Sequence, residues 1–358
     1  MLMNIGIIHG FVGGGGGTEK TFHAILDALE TTDHNVTLYT FSKPKLKSKK
    51  IKIISSLPIS IPSFGLYQRT MESKLISKAK NEDLLIQASG GLGIPTQSNQ
   101  KIVVYCHNDF SNELENPSTK YKGIWSLYYK PYYSMIKKFI TKIQDPRIHL
   151  ISNSEYIQNS LNEKFNKNSD IIYPPVNLSE FHPETKEKRV VTIGRFSAEK
   201  NHDFGIDVMK DLDCDYDIIG NTKTKSNILY YEKLEYRIKT ENCQKINLLK
   251  NLERKNLVEK VNKSKIYFHC SPETFGITVV ESIAAGCIPI VPDIGGHKET
   301  VPYDALRYAE NNSIDAKQKI LDALSGSFDN LIPILQSNIQ KFDISNFQLN
   351  FIEYIKNL

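Results

Sequence analysis

The sequence predicts two α/β domains, each built around a mostly parallel sheet in the doubly wound arrangement. With 358 residues and 40% hydrophobic content, the chain is longer than a single ordinary core requires. Short β-rich runs alternate with helical patterns in both halves, as they do in βαβ units. Between the halves, three prolines and a charged run interrupt this alternation over residues 173–188. We therefore predict a linker there, with domains at residues 1–175 and 176–340.

In the first half, six apolar runs have the length and composition of strands. They read NIGIIHG, NVTLYTF, KIKIIS, LLIQAS, KIVVYCH and IHLISNS. A helix between the first two is predicted from an apolar stripe at spacing i, i+3, i+4 and i+7, formed by Phe22, Ile25, Leu26 and Leu29. Thr18 is the expected N-cap of this helix, and Glu19 would be favourable in its first turn.

The second half restarts the same alternation, with strands predicted at VVTIGRF, YDIIGN, KIYFHCS, CIPIVPD and ALRYA. The final stretch, residues 341–358, has the apolar spacing of a helix. In doubly wound sheets, ligands bind beyond the carboxyl ends of the strands. We therefore expect functional side chains at these strand ends, across a cleft between the two sheets.

Composition argues against several classes of protein. Charged residues make up 24% of the chain and aromatic residues 10%, which is typical of a folded protein and not of a disordered one. The five cysteines are scattered and never in C-x-x-C spacing, which argues against a disulfide framework or structural zinc. No apolar run approaches the roughly 20 residues that span a bilayer, and the first run lacks the charged leader of a signal peptide. We therefore expect a cytoplasmic protein.

Charge is unevenly distributed along the chain. Residues 1–175 carry 21 Lys+Arg against 14 Asp+Glu, and the remaining residues carry 24 against 26. The basic first half predicts an anionic partner. The lysine-rich KPKLKSKKIK and the aromatic and basic YKGIWSLYYKPYYSMIKKFITKI predict weak peripheral contact with the cytoplasmic face of a membrane. An exposed loop and a partly buried helix remain the alternatives, and no nucleic-acid motif accompanies the modest charge excess.

Five consecutive glycines, Gly13 to Gly17, follow the first predicted strand, and such runs often bring a backbone close to phosphate. A P-loop is excluded because Glu19 occupies the position of its second glycine, where a carboxylate would repel phosphate. The dinucleotide fingerprint fails because Thr18 replaces its third glycine and no acidic residue follows the next strand. We expect Gly16 and Gly17 to approach a phosphate that this loop does not hold alone.

The segment SPETFGITVVESIAAG places two carboxylates around the start of a predicted helix. Glu273 lies in the loop before the helix, and Glu281 lies about one turn inside it. A helix N-terminus has unpaired N–H groups and a partial positive charge, which suit a diphosphate. One carboxylate can then bind sugar hydroxyls, and the other can reach a ribose. In the segment VVTIGRFSAEKNHD, Arg195 and Lys200 follow a strand end, where two cations can neutralise a leaving diphosphate.

Together these motifs resemble the retaining nucleotide-sugar glycosyltransferases of the GT-B fold, in glycosyltransferase family 4. The similar pieces are a glycine-rich first loop, a histidine after a mid-domain strand, R-x4-K, and E-x-F-G-x4-E followed by A-A-G. GGGGGTEK, YPPVNLSEF, FGITVVESIAAG and GGHKETVP look most similar to the mannosyltransferases that extend lipid-linked oligosaccharides with α-1,2-mannose. The resemblance covers essentially the whole chain. It implies two Rossmann-like domains facing a central cleft, with the helix of residues 341–358 packing back on the first domain.

The resemblance also implies roles for individual residues. Arg195 and Lys200 would hold the donor diphosphate. Glu273 would bind donor sugar hydroxyls, and Glu281 would bind the ribose. His107, in VVYCHNDF, corresponds to the family histidine beside the anomeric carbon. The loop and helix start would complete the donor site through Phe275, Gly276, Ile277, Thr278 and Val279.

The implied mechanism retains the anomeric configuration by front-face attack, with the leaving phosphate accepting the proton of the acceptor. Neither a metal nor another cofactor is expected beyond the nucleotide-sugar donor itself. The run from Asp211 to Asp217 contains D-x-D three times, but we interpret it as a solvated turn at the amino end of a strand.

The expected function is therefore transfer of a hexose, with mannose from GDP-mannose favoured, to a lipid-linked or other glycan acceptor. A UDP-sugar donor stays open, because no motif identifies the contacts to the nucleobase. The additional Thr18 also leaves the register of the glycines over the phosphate open. A sugar-nucleotide epimerase and a basic nucleic-acid-binding protein are the less favoured alternatives.

Overall fold

The structure, a computed structural model, divides the chain into two compact units. Unit 1 comprises Met1–Pro175 and Ser345–Leu358, and unit 2 comprises Val176–Ile344. The break after Pro175 falls inside the proline-rich segment from which a linker was predicted. The residues that the structure describes are 2–10, 12, 16–42, 44, 46, 48, 50–57, 72–88, 99–110, 130, 134 and 137–358.

Unit 1 is built on a parallel sheet that contains seven strands within the described residues. In chain order they are β1 (Asn4–Ile8), β2 (Asn35–Ser42), β3 (Lys52–Leu57), β4 (Leu84–Gln87), β5 (Lys101–Cys106), β6 (Ile148–Ser152) and β7 (Asp170–Ile171). Their order across the sheet is β3-β2-β1-β4-β5-β6-β7, and every pair is parallel. The winding therefore reverses between β1 and β4, which is the point where doubly wound sheets bind ligands.

Three helices of unit 1 are α1 (Gly17–Glu30), α2 (Glu72–Lys78) and α3 (Glu155–Phe165). The predicted apolar stripe of α1 is confirmed, since all four of its residues are buried: Phe22, Ile25, Leu26 and Leu29. The predicted N-cap is wrong, because Gly16 and not Thr18 precedes the helix. The carbonyl of Gly16 accepts hydrogen bonds from the amides of Glu19 and Lys20, so the first turn is already closed when the chain reaches Thr18.

Unit 2 is built on a second all-parallel sheet, ordered β10-β9-β8-β11-β12-β13. Its strands are β8 (Glu187–Ile193), β9 (Asp215–Gly220), β10 (Ile246–Lys250), β11 (Ser264–Phe268), β12 (Ile288–Pro292) and β13 (Arg307–Tyr308). Every strand predicted from the sequence is present. The two that were not predicted, β7 and β10, both lie at sheet edges. β7 is only two residues long, and β10 has one buried residue among its five.

The D-x-D run is a solvated turn only in part. Asp213 is exposed on the turn before β9, as expected. Asp217 lies inside β9 and is fully buried, which corrects the interpretation at that position. Its carboxylate accepts hydrogen bonds from Arg189 at 2.8 Å and Lys260 at 3.2 Å. These two cations compensate the charge that the inward-facing strand position buries.

The helices of unit 2 are α4 (His202–Met209), α5 (Lys225–Thr240), α6 (Arg254–Lys263), α7 (Ile277–Ala284), α8 (His297–Thr300), α9 (Ser313–Ser325) and α10 (Ile332–Asn338). A single 3₁₀ turn, Ala198–Lys200, precedes α4. The winding reverses between β8 and β11, which are paired neighbours. The loops that follow these two strands therefore start side by side at the carboxyl edge of the sheet.

The last helix, α11 (Ile344–Lys356), has the spacing predicted for residues 341–358 and contributes its aromatic face to unit 1. The ring of Phe347 lies 6.1 Å from that of Tyr105 on β5, measured between centroids. It also stacks against Phe351, at 5.9 Å. Both phenylalanines are buried, so this helix closes part of the core of unit 1.

In the described part of the chain, no helix combines the length and the apolar composition that crossing a membrane requires. Two segments are predicted to contact a membrane surface, residues 43–52 and 121–143. Four of the ten residues in the first and 14 of the 23 in the second lie outside the described residues, so that contact remains a prediction. Three of the five glycines in the first loop, residues 13–15, lie outside them as well.

Replacing Phe351 by alanine should destabilise unit 1. Phe351 is fully buried, and truncating such a side chain costs about 3–5 kcal/mol through lost burial and the cavity left behind. Leu349 lies on the same helix with 65% of its surface exposed, so Leu349→Ala is the matched control and should cost under about 0.5 kcal/mol. Urea unfolding of both variants measures the difference, and equal losses would contradict the packing of α11.

Candidate active site

The predicted donor-binding residues of unit 2 lie on the two loops that leave β8 and β11. Lys200, at the end of the 3₁₀ turn after β8, forms an ion pair with Glu273, on the loop after β11. Arg195 is in the same loop as Lys200, but its guanidinium points to the exposed Glu199, with 2.6 Å between NH2 and Oε1. The structure therefore brings Lys200 and Glu273 into contact, whereas Arg195 occupies the rim beside them.

Glu273 is held as a carboxylate although most of its side chain is buried. Burial would raise its pKa, but a hydrogen bond from His269 and the charge of Lys200 outweigh that effect and hold the pKa well below its usual range. His269 Nε2 lies 3.4 Å from Oε1 of Glu273, the same oxygen that Lys200 contacts. Within the described part of the chain, Oε2 of Glu273 has no hydrogen-bond partner. This oxygen is the one that can accept a hydrogen bond from a ligand.

Two glycines, Gly295 and Gly296, pack against the backbone of the loop that carries Glu273. The amide of Gly296 donates a hydrogen bond of 2.8 Å to the carbonyl of Glu273. Gly295 has φ +69°, and a Cβ there would lie 2.4 Å from the same carbonyl oxygen. Any larger residue would push the loop away, so the pair in GGHKETVP fixes the position of Glu273. Beyond the loop, the buried Phe275 packs edge-on against Phe342 at 5.0 Å.

The loop leads directly into α7, whose N-cap is Gly276 with φ +92°. The amide of Val279 donates to the carbonyl of Gly276 at 3.0 Å and closes the first turn. The amides of Ile277 and Thr278 belong to the first turn as well and have no acceptor within the helix. The N-terminus of α7 thus presents N–H groups and its positive dipole end next to Glu273 and Lys200.

Glu281, one turn inside α7, is only 2% exposed and is paired with Arg254 at the start of α6. The distance between NH2 of Arg254 and Oε1 of Glu281 is 2.8 Å. Arg254 also forms a two-pronged contact with Glu180, at 2.8 and 2.6 Å. Sequence reasoning missed Arg254 because it follows the unpredicted β10, so nothing marked its place beside Glu281.

Two buried histidines support the loops of this site. His202 donates from Nε2 to the carbonyl of Arg195 at 2.9 Å, and His297 donates to the carbonyl of Ser271 at 3.1 Å. Both are fully buried. Burial lowers the pKa of His202 to about 4 and that of His297 to about 3. Both imidazoles are therefore neutral at pH 7 and act as loop supports with one fixed N–H each.

In unit 1, the predicted catalytic histidine lies at the carboxyl end of β5. Nε2 of His107 donates to the carbonyl of Ala88, which follows β4, at 2.9 Å. Burial lowers the pKa of His107 to about 4, so the ring is neutral at pH 7. Of the two glycines chosen for phosphate approach, Gly16 caps α1 and Gly17 is its first residue.

Sequence reasoning also missed a buried pair at the carboxyl end of β1 in unit 1. His9, directly after β1, lies with Nε2 3.4 Å from Oε2 of Glu19. Its ring stacks on Phe22 at 3.9 Å, nearly parallel. Glu19 was predicted only as a favourable first-turn residue, because its sequence position gives no sign that α1 turns it toward the end of β1.

Both halves of the chain match known protein families. Residues 15–180 match the family model described as Glycosyltransferase Family 4, and residues 177–340 match the one described as Glycosyl transferases group 1. Together the two matches extend over residues 15–340. This agrees with the resemblance seen in the motifs, and the relatives and solved structures below agree with it too.

Among curated proteins, a glycosyltransferase of Methanocaldococcus jannaschii without an assigned activity is 30% identical over 179 residues, which are 49% of each chain. The GDP-Man:Man(3)GlcNAc(2)-PP-Dol alpha-1,2-mannosyltransferase of Dictyostelium discoideum is 21% identical over 280 residues, covering 70% of this chain and 54% of that protein. The human enzyme of the same name is 26% identical over 53% of this chain and 44% of its own length. The chain thus spans about half the length of the curated relatives it matches.

Solved glycosyltransferase structures confirm the GT-B fold. HepE of Anabaena, in complex with UDP and glucose, has a TM-score of 0.75 at 15% identity and covers 99% of this chain and 100% of its own. Sucrose-phosphate synthase of Thermosynechococcus elongatus has a TM-score of 0.79 at 15% identity, with 99% and 98% covered.

The buried histidines predict a loss of stability in mild acid. In the unfolded chain their pKa is about 6.5, whereas His202 and His297 have lowered pKa values of about 4 and about 3 in the folded state. The unfolded state therefore binds protons first as the pH falls, so stability is complete above pH 6.5 and declines below it. Each histidine should cost on the order of 2 kcal/mol at pH 5.

Urea unfolding at pH 7.5 and pH 5, together with NMR titration of the imidazole C–H signals, measures this effect. Neither histidine of the folded protein should titrate above pH 5, while both should titrate near pH 6.5 in urea. A midpoint near 6.5 for either one in the folded protein would contradict its burial.

Proposed function

We propose that this chain is a retaining glycosyltransferase that transfers mannose from GDP-mannose to a lipid-linked or other glycan acceptor. The contact of Lys200 and His269 with Glu273, beside the N-terminus of α7, is the observation that carries the proposal. It brings a cation, the positive end of a helix dipole and an ionised carboxylate together at one edge of the sheet of unit 2. The relatives named for GDP-mannose support the choice of donor, and the two domain matches support the reaction class.

The donor diphosphate would bind at the N-terminus of α7. The amides of Ile277 and Thr278 would donate to its oxygens, and Lys200 would neutralise the charge that develops as it leaves. Arg195 would exchange Glu199 for the diphosphate, because both groups are on the surface and their pairing contributes little free energy. Glu273 would accept hydrogen bonds from sugar hydroxyls through Oε2.

The ribose would bind near Glu281, whose carboxylate Arg254 holds in place. This arrangement gives the buried carboxylate of Glu281 a cationic partner. The ribose hydroxyls would then donate to Glu281 while Arg254 keeps the side chain extended. No residue of the described chain identifies the nucleobase, so a UDP-sugar is the competing donor in the experiment below.

The reaction would proceed on the front face of the donor sugar. The bond between the anomeric carbon and the phosphate oxygen breaks, a bond to the acceptor oxygen forms on the same face, and the acceptor proton passes to the departing diphosphate. The protein then contributes position and charge stabilisation instead of a nucleophile. His107 keeps the role that the motif resemblance gives it, beside the anomeric carbon, and acts as a neutral imidazole.

A donor panel tests the proposed substrate. GDP-mannose at 100 times its Kd should add about 2.7 kcal/mol to the free energy of unfolding, which raises the Tm by several degrees. UDP-glucose and UDP-N-acetylglucosamine at the same concentration should have little effect. Nucleotide release in the presence of a glycan acceptor provides the second readout. Strong stabilisation by a UDP-sugar and none by GDP-mannose would overturn the choice of donor.

Four substitutions test the site. Glu273→Gln, Lys200→Met and Arg195→Ala should each lower kcat about 100-fold or more, because each removes charge or hydrogen bonding from the transition state. Glu199→Gln is the matched control, since it removes the surface partner of Arg195 and nothing that would touch the donor, and should leave kcat within about twofold. Circular dichroism should show that all four variants are folded. Full activity in Glu273→Gln or Arg195→Ala would reject the assignment.

A further inference from the structure

Behind Glu273, three side chains form a continuous line of polar contacts that leads back to α7. His269 Nε2 lies 3.4 Å from Oε1 of Glu273, and His269 Nδ1 lies 3.0 Å from the hydroxyl of Tyr267. The same hydroxyl lies 2.7 Å from Oγ1 of Thr278, the second residue of α7. The line therefore starts at the N-terminus of α7, where the diphosphate is proposed to bind, and ends at the carboxylate proposed to bind the sugar.

With a neutral imidazole at His269, the ionised carboxylate at the end of this line determines the direction of every bond in it. The carboxylate of Glu273 is ionised, so it can only accept, and Nε2 of His269 must donate to it. In a neutral imidazole Nδ1 is then the acceptor, and the hydroxyl of Tyr267 must donate to it. That hydroxyl has one hydrogen, so Oγ1 of Thr278 must donate to the oxygen of Tyr267.

One acceptor competes for the hydrogen of Tyr267. The carbonyl of Ile193 lies 3.5 Å from the hydroxyl, compared with 3.0 Å for His269 Nδ1. The shorter contact is favoured, because a hydrogen bond at 3.5 Å is at the limit of useful geometry. Burial raises the pKa of Tyr267 far above neutral pH, so the side chain keeps its hydrogen.

We propose that Tyr267 and His269 are positioning residues for sugar transfer, which direct Oε2 of Glu273 toward the donor sugar and couple its orientation to the start of α7. The inference rests on the proposed function. The side chain of Glu273 is on a loop and could adopt several rotamers. When His269 holds Oε1 in one position, Oε2 is restricted to one position as well. When each hydrogen bond in the line has only one allowed direction, all of them can form in only one arrangement of the side chains. A buried donor or acceptor that loses its partner costs free energy.

A purely structural role is the alternative, and the molecule provides a matched control for it. Tyr308 is also buried, and its hydroxyl donates a hydrogen bond of 2.7 Å to the backbone carbonyl of His269. Tyr308→Phe therefore removes a buried hydroxyl that contacts the same residue but does not belong to the line. Tyr267→Phe removes the hydroxyl that sets the tautomer of His269.

The kinetic experiment compares the two variants with the wild type, using GDP-mannose as donor and GDP as the binding probe. Tyr267→Phe should lower kcat about tenfold while the Kd for GDP changes less than about twofold, because the diphosphate seat is intact. Tyr308→Phe should keep kcat within about twofold. Equal kcat values in the two variants, whether lowered or unchanged, would overturn the positioning role.

The second experiment does not depend on turnover. Nitrogen-15 NMR of the histidine side chains should show His269 of the wild type as the neutral form with hydrogen on Nε2. That form should be retained in Tyr308→Phe and lost or mixed in Tyr267→Phe. A wild-type His269 with hydrogen on Nδ1, or on both nitrogens, would overturn the inference.

The two experiments also separate this inference from the proposed function. A wild-type protein that transfers no sugar from any donor in the panel would reject the proposed function, and the positioning role would fall with it. A wild-type protein that transfers sugar, with Tyr267→Phe and Tyr308→Phe behaving alike, would reject the positioning role alone.

Discussion

The ionised state of Glu273 is the condition on which the candidate site depends. A carboxylate that is mostly buried would take up a proton unless hydrogen bonds and positive charge compensated its lost hydration. Lys200 and His269 supply that compensation from two different loops, and both converge on one oxygen. The free oxygen, the neighbouring helix start and the cation then form one polar surface that suits a sugar attached to a diphosphate.

The doubly wound sheet makes this convergence possible. Lys200 and Glu273 are 73 residues apart, and they meet only because β8 and β11 are paired in parallel. The carboxyl ends of β8 and β11 therefore lie at the same edge of the sheet. Gly295 and Gly296, after β12, approach from the next strand and hold the backbone of Glu273. Because each contribution comes from a different strand end, a change of register in this sheet would separate all of them.

The sequence marked the candidate ligand-binding groups more clearly than the groups that contact them from behind. Arg195 and Lys200 stand in one recognisable motif and Glu273 in another, and each motif lies within a short segment of the chain. Tyr267 and Arg254 carry no such spacing, since their contacts depend on which strand face points inward and on where β10 ends. The same limit explains the errors: Gly16 caps α1 because of a backbone conformation, and Asp217 is buried because strand positions alternate.

Unit 1 limits what its histidine can contribute to the reaction. Nε2 of His107 has to donate, because its partner at Ala88 is a carbonyl oxygen. The low pKa keeps a second proton off the ring at neutral pH, so Nδ1 can accept a hydrogen bond but cannot supply a proton. An acid that protonates a leaving group is therefore not available at this position. In the proposed reaction, the proton released by the acceptor hydroxyl would instead pass to the departing diphosphate, whose oxygens gain negative charge as the glycosidic bond to them breaks. A neutral His107 is thus consistent with the proposed front-face transfer, which would not require this side chain to change its protonation state.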